Sequence, residues 1–280
     1  MDCSEVFLEV REPSSALRLF VRTAHAHLPS LPDSPSPVIV LHGGPGLPHD
    51  YLLPIADMVQ DRPVVFYDQL GCGRSSAPPN ASASLYSIQK SVEDLHQLIE
   101  YLNFPSIILL GHSWGGMLAF EYLNSNLATS SKVTALILSN TSTSAALAQR
   151  EIQRRIGELI MAGVPNESLD SEFRARYQCR VPSDLLGDTL RCMSRIPSWS
   201  GLNSVMKWEV NGSKLLDALR VLVIQGEHDF TPKCGEGWAA VAKDIQFEVI
   251  PESSHMPHIE NPDAFRDVLL RFLSSLKADS

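Results

Sequence analysis

One serine of the chain has the neighbours that nucleophilic catalysis requires. Ser113 lies in the hexapeptide GHSWGG at 111–116, directly after the apolar run IILL at 107–110. In the pattern G-x-S-x-G, small residues on both sides let the chain turn sharply from a strand into a helix and expose the serine hydroxyl. We predict that Ser113 is a nucleophile. The alternative is a glycine-rich helix start in which the serine is only a cap.

A serine hydroxyl is a weak nucleophile until a histidine, oriented by a carboxylate, removes its proton. When the serine follows a strand in this way, the acid comes after a later strand and the histidine after the last one. The apolar run VLVIQG at 221–226 is followed by Glu227, His228 and Asp229. We predict that Asp229 is the acid and keep Glu227, which is closer to the strand end, as the alternative.

Two histidines follow the last apolar run, FEVI at 247–250. They are His255 and His258, in the segment PESSHMPHIENP at 251–262. Spacing alone does not separate them. We predict that His255 is the general base and that His258 packs or forms hydrogen bonds near the pocket.

A glycine-rich turn, HGGPG at 42–46, follows the apolar run 38–41. A turn of this type after a strand donates one backbone N–H to the negatively charged oxygen that forms during acyl transfer. The N–H of the residue after the nucleophile, Trp114, is the expected second donor. Losing one such donor typically slows an enzyme about 10²–10³-fold.

The elements that must position these residues are apolar runs alternating with longer helix-like segments, which is typical of a mostly parallel sheet flanked by helices. Eight strands are predicted, beginning near residues 6, 17, 38, 64, 107, 135, 221 and 247. Helical periodicity is clearest at 87–102, 117–123 and 264–276. The sequence therefore predicts an α/β fold.

The alternation stops between about residues 142 and 215, where the sequence is polar, helix-like and interrupted by prolines at 165, 182 and 197. We predict a helical cap inserted into the sheet domain. The predicted organisation is a first core part at 1–141, the cap at 142–215 and a second core part at 216–280.

Composition narrows the function classes. A formal net charge of −9 opposes nucleic-acid binding, which needs clustered basic residues. The chain has no apolar run of membrane-spanning length and no secretion signal at its start, so we expect no membrane partner and a cytoplasmic protein. Five cysteines with no C-x-x-C pair predict neither a metal site nor a disulfide framework, and no cofactor is expected.

Five motifs together resemble the proline iminopeptidases of the α/β-hydrolase superfamily: HGGPG at 42–46, DQLGCGRS at 68–75, GHSWGG at 111–116, GEHDFTP at 226–232 and SSHMPHIENP at 253–262. The resemblance implies an α/β-hydrolase fold with an eight-stranded, mostly parallel sheet and an inserted helical cap. It implies the triad Ser113, Asp229 and His255, with Gly44 and Trp114 as oxyanion donors. It favours His255 over His258, because the family spacing H-x-x-x-x-E fits His255 and Glu260.

In proline iminopeptidases, acidic groups from the cap and from beside the catalytic aspartate bind the free amine of the substrate. Phe230 follows Asp229 here, at a position where some members have glutamate. The resemblance makes Glu209, in the segment WEVNG at 208–212, the expected amine partner; the alternative is a solvated glutamate at a helix end. Gly43, Trp208 and Phe230 are the other expected substrate contacts.

Three functions follow from these features. The first is a serine hydrolase that works through an acyl-enzyme and releases N-terminal proline, or another amino acid, from small peptides or amides. The second is an esterase, lactonase or carbon–carbon hydrolase on the same fold. The third is a ligand-binding protein that keeps the architecture without catalysis. The expected partner is a small-molecule or short-peptide substrate, and the sequence does not indicate an oligomeric state.

Overall fold

The computed structural model describes residues 2–10, 17–28, 34–78, 83–128, 132–193, 205–211, 216–231 and 237–276. Within these ranges, eight strands form one sheet in the order β1-β2-β4-β3-β5-β6-β7-β8. They are β1 (Cys3–Val10), β2 (Leu17–Ala24), β3 (Val38–Leu41), β4 (Val64–Asp68), β5 (Ile107–His112), β6 (Val133–Ser139), β7 (Arg220–Gly226) and β8 (Asp244–Ile250).

The sheet is mostly parallel. β2 pairs antiparallel with β1 and β4, and every other neighbouring pair is parallel. All residues of β3, β4 and β5 are buried, which explains why these strands are continuous apolar runs rather than alternating ones. The predicted fold class is therefore confirmed. The carboxyl ends of β3, β5, β6 and β7 share one edge of the sheet.

Helices cover both faces of the sheet. In the described residues they are α1 (Pro54–Met58), α2 (Ile88–Leu102), α3 (Trp114–Asn124), α4 (Ala145–Met161), α5 (Leu169–Phe173), α6 (Asp184–Met193), α7 (Pro257–Glu260) and α8 (Pro262–Ser275), with a π-helix at Arg174–Gln178 and short 3₁₀ turns at His49–Leu52, Ala83–Tyr86 and Asn166–Ser168. α2 and α3 pack in the core on one face, and α1 and α8 pack in the core on the other. No helix in the described ranges is long and apolar enough to cross a membrane.

The segment between β6 and β7 contains α4, α5, the π-helix and α6, which agrees with the predicted helical cap. Its two ends are joined to each other: the Ala145 N–H donates to the Trp208 carbonyl (2.9 Å) and the Val210 N–H donates to the Thr143 carbonyl (2.9 Å). The cap is thus closed at its base. The predicted boundary at 215 lies outside the described residues, and the division into 1–141, 142–215 and 216–280 stays a prediction.

Candidate active site

Ser113 occupies a sharp turn between β5 and α3. Its backbone has φ 54° and ψ −118°, a region that residues other than glycine rarely adopt and that typically costs about 1–3 kcal/mol. The Ser113 N–H donates to the Ser139 carbonyl (2.9 Å), and the Ser113 carbonyl accepts from the Gly116 N–H (3.0 Å) and the Thr141 hydroxyl (3.2 Å). These bonds hold the serine in the strained conformation.

The glycines around Ser113 are required by close backbone contacts. A Cβ on Gly111 would lie 2.4 Å from the Cα of Gly116, and one on Gly115 would lie 2.0 Å from the Leu41 carbonyl oxygen. Any side chain at either position would collide with main chain that cannot move independently. The spacing G-x-S-x-G therefore has a steric cause in this structure.

His255 is bound to a buried aspartate. Its Nδ1 lies 2.9 Å from Oδ1 of Asp229, whose side chain is fully buried. Asp229 also accepts from the Asn140 side-chain amide (2.6 Å to Oδ2), the Thr231 N–H (3.2 Å) and the Thr231 hydroxyl (3.2 Å). Because a carboxylate only accepts hydrogen bonds, His255 Nδ1 carries the ring proton, and Nε2 keeps the lone pair that a general base needs.

Asn140 and Thr231 were not among the predicted site residues. Asn140 directly follows β6, which lies between the strands that precede Ser113 and Asp229. A polar residue at the carboxyl end of a central strand was the signal that could have identified it. Its amide also donates to the Ser254 carbonyl (3.0 Å), so it fixes the histidine loop as well as the aspartate.

The alternative residues have other contacts. Glu227 is exposed and accepts from the Glu252 N–H (3.0 Å). His258 is buried, and its Nε2 donates to the Tyr51 carbonyl (3.1 Å). Burial lowers the pKa of His258 to about 4. The geometry therefore favours Asp229 and His255 over both alternatives.

Glu260 organises the loop that carries His255. Its carboxylate accepts from the Ser254 N–H (3.0 Å), the Ser254 hydroxyl (2.8 Å) and the Met256 N–H (2.9 Å). It also accepts from the Arg180 N–H of the cap (2.9 Å). The spacing between His255 and Glu260 thus places a carboxylate beneath the histidine loop and connects that loop to the cap.

The glycine-rich turn after β3 presents Gly44 to the cleft, whereas Gly43 faces the interior. Gly44 has φ 116°, and a Cβ there would lie 2.5 Å from the Gly46 nitrogen. The Gly43 N–H donates to the Tyr51 hydroxyl (2.8 Å). The predicted substrate contact at Gly43 is therefore not observed, because its amide is already bonded inside the protein.

Trp114 is the first residue of α3, and its indole is buried, with Nε1 donating to the Gln69 side-chain oxygen (2.9 Å). The Trp114 side chain therefore serves packing, and its backbone lies at a helix N-terminus, where N–H groups suit an anion. Gln69 also forms a hydrogen bond with His42, at the start of the glycine-rich turn. Its N–H donates to His42 Nε2 (2.9 Å), so His42 Nδ1–H donates to the Gly43 carbonyl (3.0 Å). Burial lowers the pKa of His42 to about 4, which keeps the ring neutral.

A cleft of about 270 Å³ contains Ser113, His255 and Gly44 on its wall. The rest of the described lining divides by chemistry. The apolar part includes Leu47, Phe173, Leu190, Phe230 and Met256, and the charged or amide side chains, all from the cap, are Asp170, Arg174 and Gln178. Tyr51 and His112 also line the cleft, on the core side. The cleft is small for a ligand pocket, whose usual range begins at about 300 Å³.

Phe230 lies against the histidine in the lining of the cleft, and its contact with substrate stays a prediction. Its ring centroid is 4.1 Å from that of His255, with an interplanar angle of 34°, and 5.9 Å from that of Phe173 in the cap. Core and cap thus meet through two aromatic rings beside the histidine.

Trp208 and Glu209 are not brought to the cleft. The Trp208 indole is buried against Phe120 and donates to the Glu121 carboxylate (2.8 Å). Because the backbone at 208–210 is paired with the start of the cap, successive side chains alternate in direction, and Glu209 is exposed to solvent. The substrate contacts predicted at these two positions are corrected accordingly.

Comparison with known proteins agrees with the fold. Residues 36–159 match the family model described as alpha/beta hydrolase fold. The proline iminopeptidase of Heyndrickxia coagulans is 31% identical over 273 residues, covering 86% of this chain and 91% of that protein. The proline iminopeptidase of Lactobacillus delbrueckii subsp. lactis is 30% identical over 269 residues, covering 86% and 90%.

Among solved structures, the proline iminopeptidase of Mycobacterium smegmatis superimposes with a TM-score of 0.83 at 28% identity, covering 99% of both chains. VinJ superimposes with a TM-score of 0.82 at 26% identity, covering 98% of this chain and 99% of that one. The fold and the cleft define an α/β-hydrolase, a serine hydrolase. Within that class, the chain belongs to the proline iminopeptidase family.

Proposed function

We propose that this serine hydrolase releases an N-terminal residue, proline by preference, from short peptides or amino-acid amides. The observation that carries the proposal is the cleft that contains Ser113 together with His255, whose Nδ1 lies 2.9 Å from the buried Asp229 carboxylate. The similarity to proline iminopeptidases supports the substrate class. The small, largely apolar cleft suits an acyl group as compact as a prolyl residue.

In the proposed first half-reaction, Nε2 of His255 removes the proton from the Ser113 hydroxyl while Oγ bonds to the substrate carbonyl carbon. The backbone N–H groups of Gly44 and Trp114 stabilise the oxygen that becomes negative. The carbon–nitrogen bond then breaks, and the leaving amine takes its electron pair and the proton held by His255. The prolyl group remains esterified to Ser113.

In the second half-reaction, a water molecule gives its proton to His255 and attacks the ester carbonyl. Collapse of this intermediate breaks the bond to Ser113 Oγ, which recovers the proton from His255. Asp229 keeps Nδ1 protonated in both halves, so that Nε2 is always the exchanging nitrogen. Free proline and the shortened peptide are the products.

Asp170 replaces Glu209 as the proposed partner of the substrate amine. It is the acidic side chain among the described residues that line the cleft. Its carboxylate is paired with Arg174 (Nε to Oδ2, 2.8 Å), but both side chains are largely exposed. An exposed ion pair is typically worth no more than about 1 kcal/mol, so an incoming ammonium can compete for this carboxylate.

The esterase alternative has one specific observation in its favour. Phe230 places an aromatic ring directly after Asp229 and 4.1 Å from the His255 ring, where an acidic residue would have added a second amine contact. Without that contact, the preference for a charged substrate depends on the cap. A substrate pair that differs only in charge separates the two functions.

The test compares prolyl-naphthylamide with cyclopentanecarbonyl-naphthylamide, in which a methylene group replaces the charged imino group. We expect the wild-type protein to favour the prolyl substrate by about 5-fold in kcat/KM, because an ion pair with a largely exposed carboxylate contributes about 1 kcal/mol. Asp170→Asn is expected to remove most of this preference, and Glu209→Gln, at an exposed position, is the matched control.

Equal turnover of the two substrates by the wild-type protein would overturn the aminopeptidase function, because the free amine would then give no advantage. A full preference that Asp170→Asn leaves intact would keep the function and reject Asp170 as the amine partner.

A further inference from the structure

The Tyr51 hydroxyl lies between the glycine-rich turn at 42–46 and His112, the residue that precedes Ser113. The tyrosine belongs to the 3₁₀ turn His49–Leu52 and is completely buried. Its oxygen accepts from the Gly43 N–H (2.8 Å) and lies 2.8 Å from Nδ1 of His112. A tyrosine hydroxyl has one proton, and the Gly43 amide is itself a donor, so that proton is donated to His112 Nδ1.

The other nitrogen of His112 continues the chain of hydrogen bonds. Since Nδ1 accepts from Tyr51, Nε2 carries the ring proton and donates to the His255 carbonyl (2.8 Å). Burial and the neighbouring histidines 255 and 258 lower the pKa of His112 well below its ordinary value, so the ring is neutral and has the single proton that this arrangement needs. The direction of every hydrogen bond from Gly43 to His255 is thereby fixed.

The chain of hydrogen bonds acts on the peptide that precedes Gly44. The Gly43 N–H is held by Tyr51, and the Gly43 carbonyl is held by His42 Nδ1 (3.0 Å). In a trans peptide the carbonyl and the following N–H point in opposite directions. Fixing both polar groups of Gly43 therefore fixes the direction of the Gly44 N–H, the proposed oxyanion donor.

We propose that Tyr51 and His112 are positioning residues. They hold the glycine-rich turn at 42–46 and the loop that carries His255 in fixed positions relative to Ser113. His112 precedes Ser113 in the chain and bonds to the backbone of His255, and Tyr51 connects it to Gly43. The inference rests on the proposed roles of Ser113, His255 and Gly44. Neither positioning residue needs to touch the reacting atoms to set their alignment.

The main test is Tyr51→Phe, which keeps the ring and removes the hydroxyl. The matched control is Tyr67→Phe, because Tyr67 is also completely buried and its hydroxyl has no hydrogen-bond partner in the described part of the chain. Both variants are assayed on p-nitrophenyl acetate, a neutral ester whose turnover does not depend on recognition of an amine. We expect Tyr51→Phe to lower kcat about 10- to 100-fold, less than complete loss of an oxyanion donor, with KM within about 3-fold.

Two substitutions at His112 each remove one of its two side-chain hydrogen bonds, to Tyr51 or to the His255 carbonyl. In His112→Asn, the amide oxygen takes the place of Nδ1 and can accept from Tyr51, but the donor to His255 is lost. In His112→Gln, the amide nitrogen takes the place of Nε2 and can donate to the His255 carbonyl, but the acceptor for Tyr51 is lost. In His112→Gln the Tyr51 hydroxyl loses its acceptor but still accepts from the Gly43 N–H. We therefore expect Tyr51→Phe to cost part of its factor in kcat in His112→Gln and its full factor in His112→Asn.

Wild-type kcat in Tyr51→Phe, or an equal loss in Tyr67→Phe, would overturn the inference. Additive effects of Tyr51→Phe in both His112 backgrounds would also overturn it. If the His112 variants do not fold, the comparison of the two tyrosine variants decides. Ser113→Ala separates this inference from the proposed chemistry: activity retained in Ser113→Ala would reject the chemistry, whereas loss there with an unaffected Tyr51→Phe would reject only the positioning role.

Discussion

The two walls of the cleft are built in different ways. On the core wall, Asp229 is completely buried and accepts four hydrogen bonds, and the His255 side chain is 7% exposed. On the cap wall, Asp170 and Arg174 are 79% and 46% exposed and bond mainly to each other along one helical segment. Several hydrogen bonds and burial therefore fix the side chains of the core wall, whereas the side chains of the cap wall are exposed and have fewer contacts. In the proposed function, the core wall therefore carries the catalytic residues, and the cap wall carries the proposed partner of the substrate amine.

The largest expected effect is on the core wall. Ser113→Ala should lower kcat by about 10⁴- to 10⁶-fold, because the remaining residues supply only binding and oxyanion stabilisation. The substitution removes one small group and should leave the urea midpoint close to that of the wild type. A fluorophosphonate probe should label the wild-type protein rapidly and the variant not at all. Retention of about a tenth of wild-type kcat would contradict the nucleophile assignment.

The second expected effect distinguishes the two acids. Asp229→Asn should lower kcat about 10⁴-fold, because an amide at this position favours the wrong tautomer of His255. Glu227→Gln is the control, since Glu227 is exposed and bonds to the Glu252 backbone. Steady-state kinetics on one ester substrate suffice. If Glu227→Gln were the damaging change, the acid would be misassigned.

Glycine-to-alanine substitutions in the core and in the cap should change the free energy of unfolding in opposite directions. Gly115→Ala should destabilise the protein by several kcal/mol, about 3 or more, because the new Cβ would lie 2.0 Å from the Leu41 carbonyl oxygen. Gly157→Ala in α4 of the cap should stabilise it by about 0.5–1 kcal/mol, since nothing lies within 4 Å and alanine favours a helix. Urea unfolding of both variants measures the difference. Equal destabilisation would mean that the cap helix is as tightly packed as the turn at Ser113.

The last expected effect is the pH dependence of stability. His42 and His258 have folded pKa values of about 4, lowered by burial, against about 6.5 in the unfolded chain. The unfolded state therefore binds protons in this window that the folded state does not, and the free energy of unfolding falls as the pH falls from about 6.5 to 4. Each histidine should contribute a loss of about 2 kcal/mol between pH 7 and pH 5.

Urea unfolding at the two pH values gives this difference. His258→Gln should reduce the pH dependence by one histidine's share. The same slope in the wild-type protein and in His258→Gln would contradict the assignment of this proton to a buried ring.

The sequence predicted the core wall well because its determinants are local. Strands buried on both faces are continuous apolar runs, so β3, β4 and β5 were identified from composition alone. Gly111 and Gly115 lie so close to neighbouring backbone that a Cβ would collide with it. The motif G-x-S-x-G shows this requirement directly in the sequence. The positions of Ser113, Asp229 and His255 follow from strand order, and their catalytic roles stay predictions.

What the sequence missed depends on how separate segments pack. Glu209 was expected in the cleft, but pairing of 208–210 with the start of the cap turns its side chain to solvent. Gln178 reaches the cleft through the π-helix Arg174–Gln178, whose wider turn a 3.6-residue periodicity does not anticipate. Tyr51 is 61 residues from His112, and no local pattern joins them.

The pairing at the base of the cap has a consequence for how this fold can diversify. The chain leaves the sheet domain near Thr143 and returns near Trp208, and backbone hydrogen bonds bind these two points side by side. An inserted segment of another length between these two points would begin and end at neighbouring positions. It would therefore not change the spacing of the strands. Exchange of whole caps is therefore a route by which a lineage could acquire a new substrate range while inheriting its catalytic apparatus unaltered.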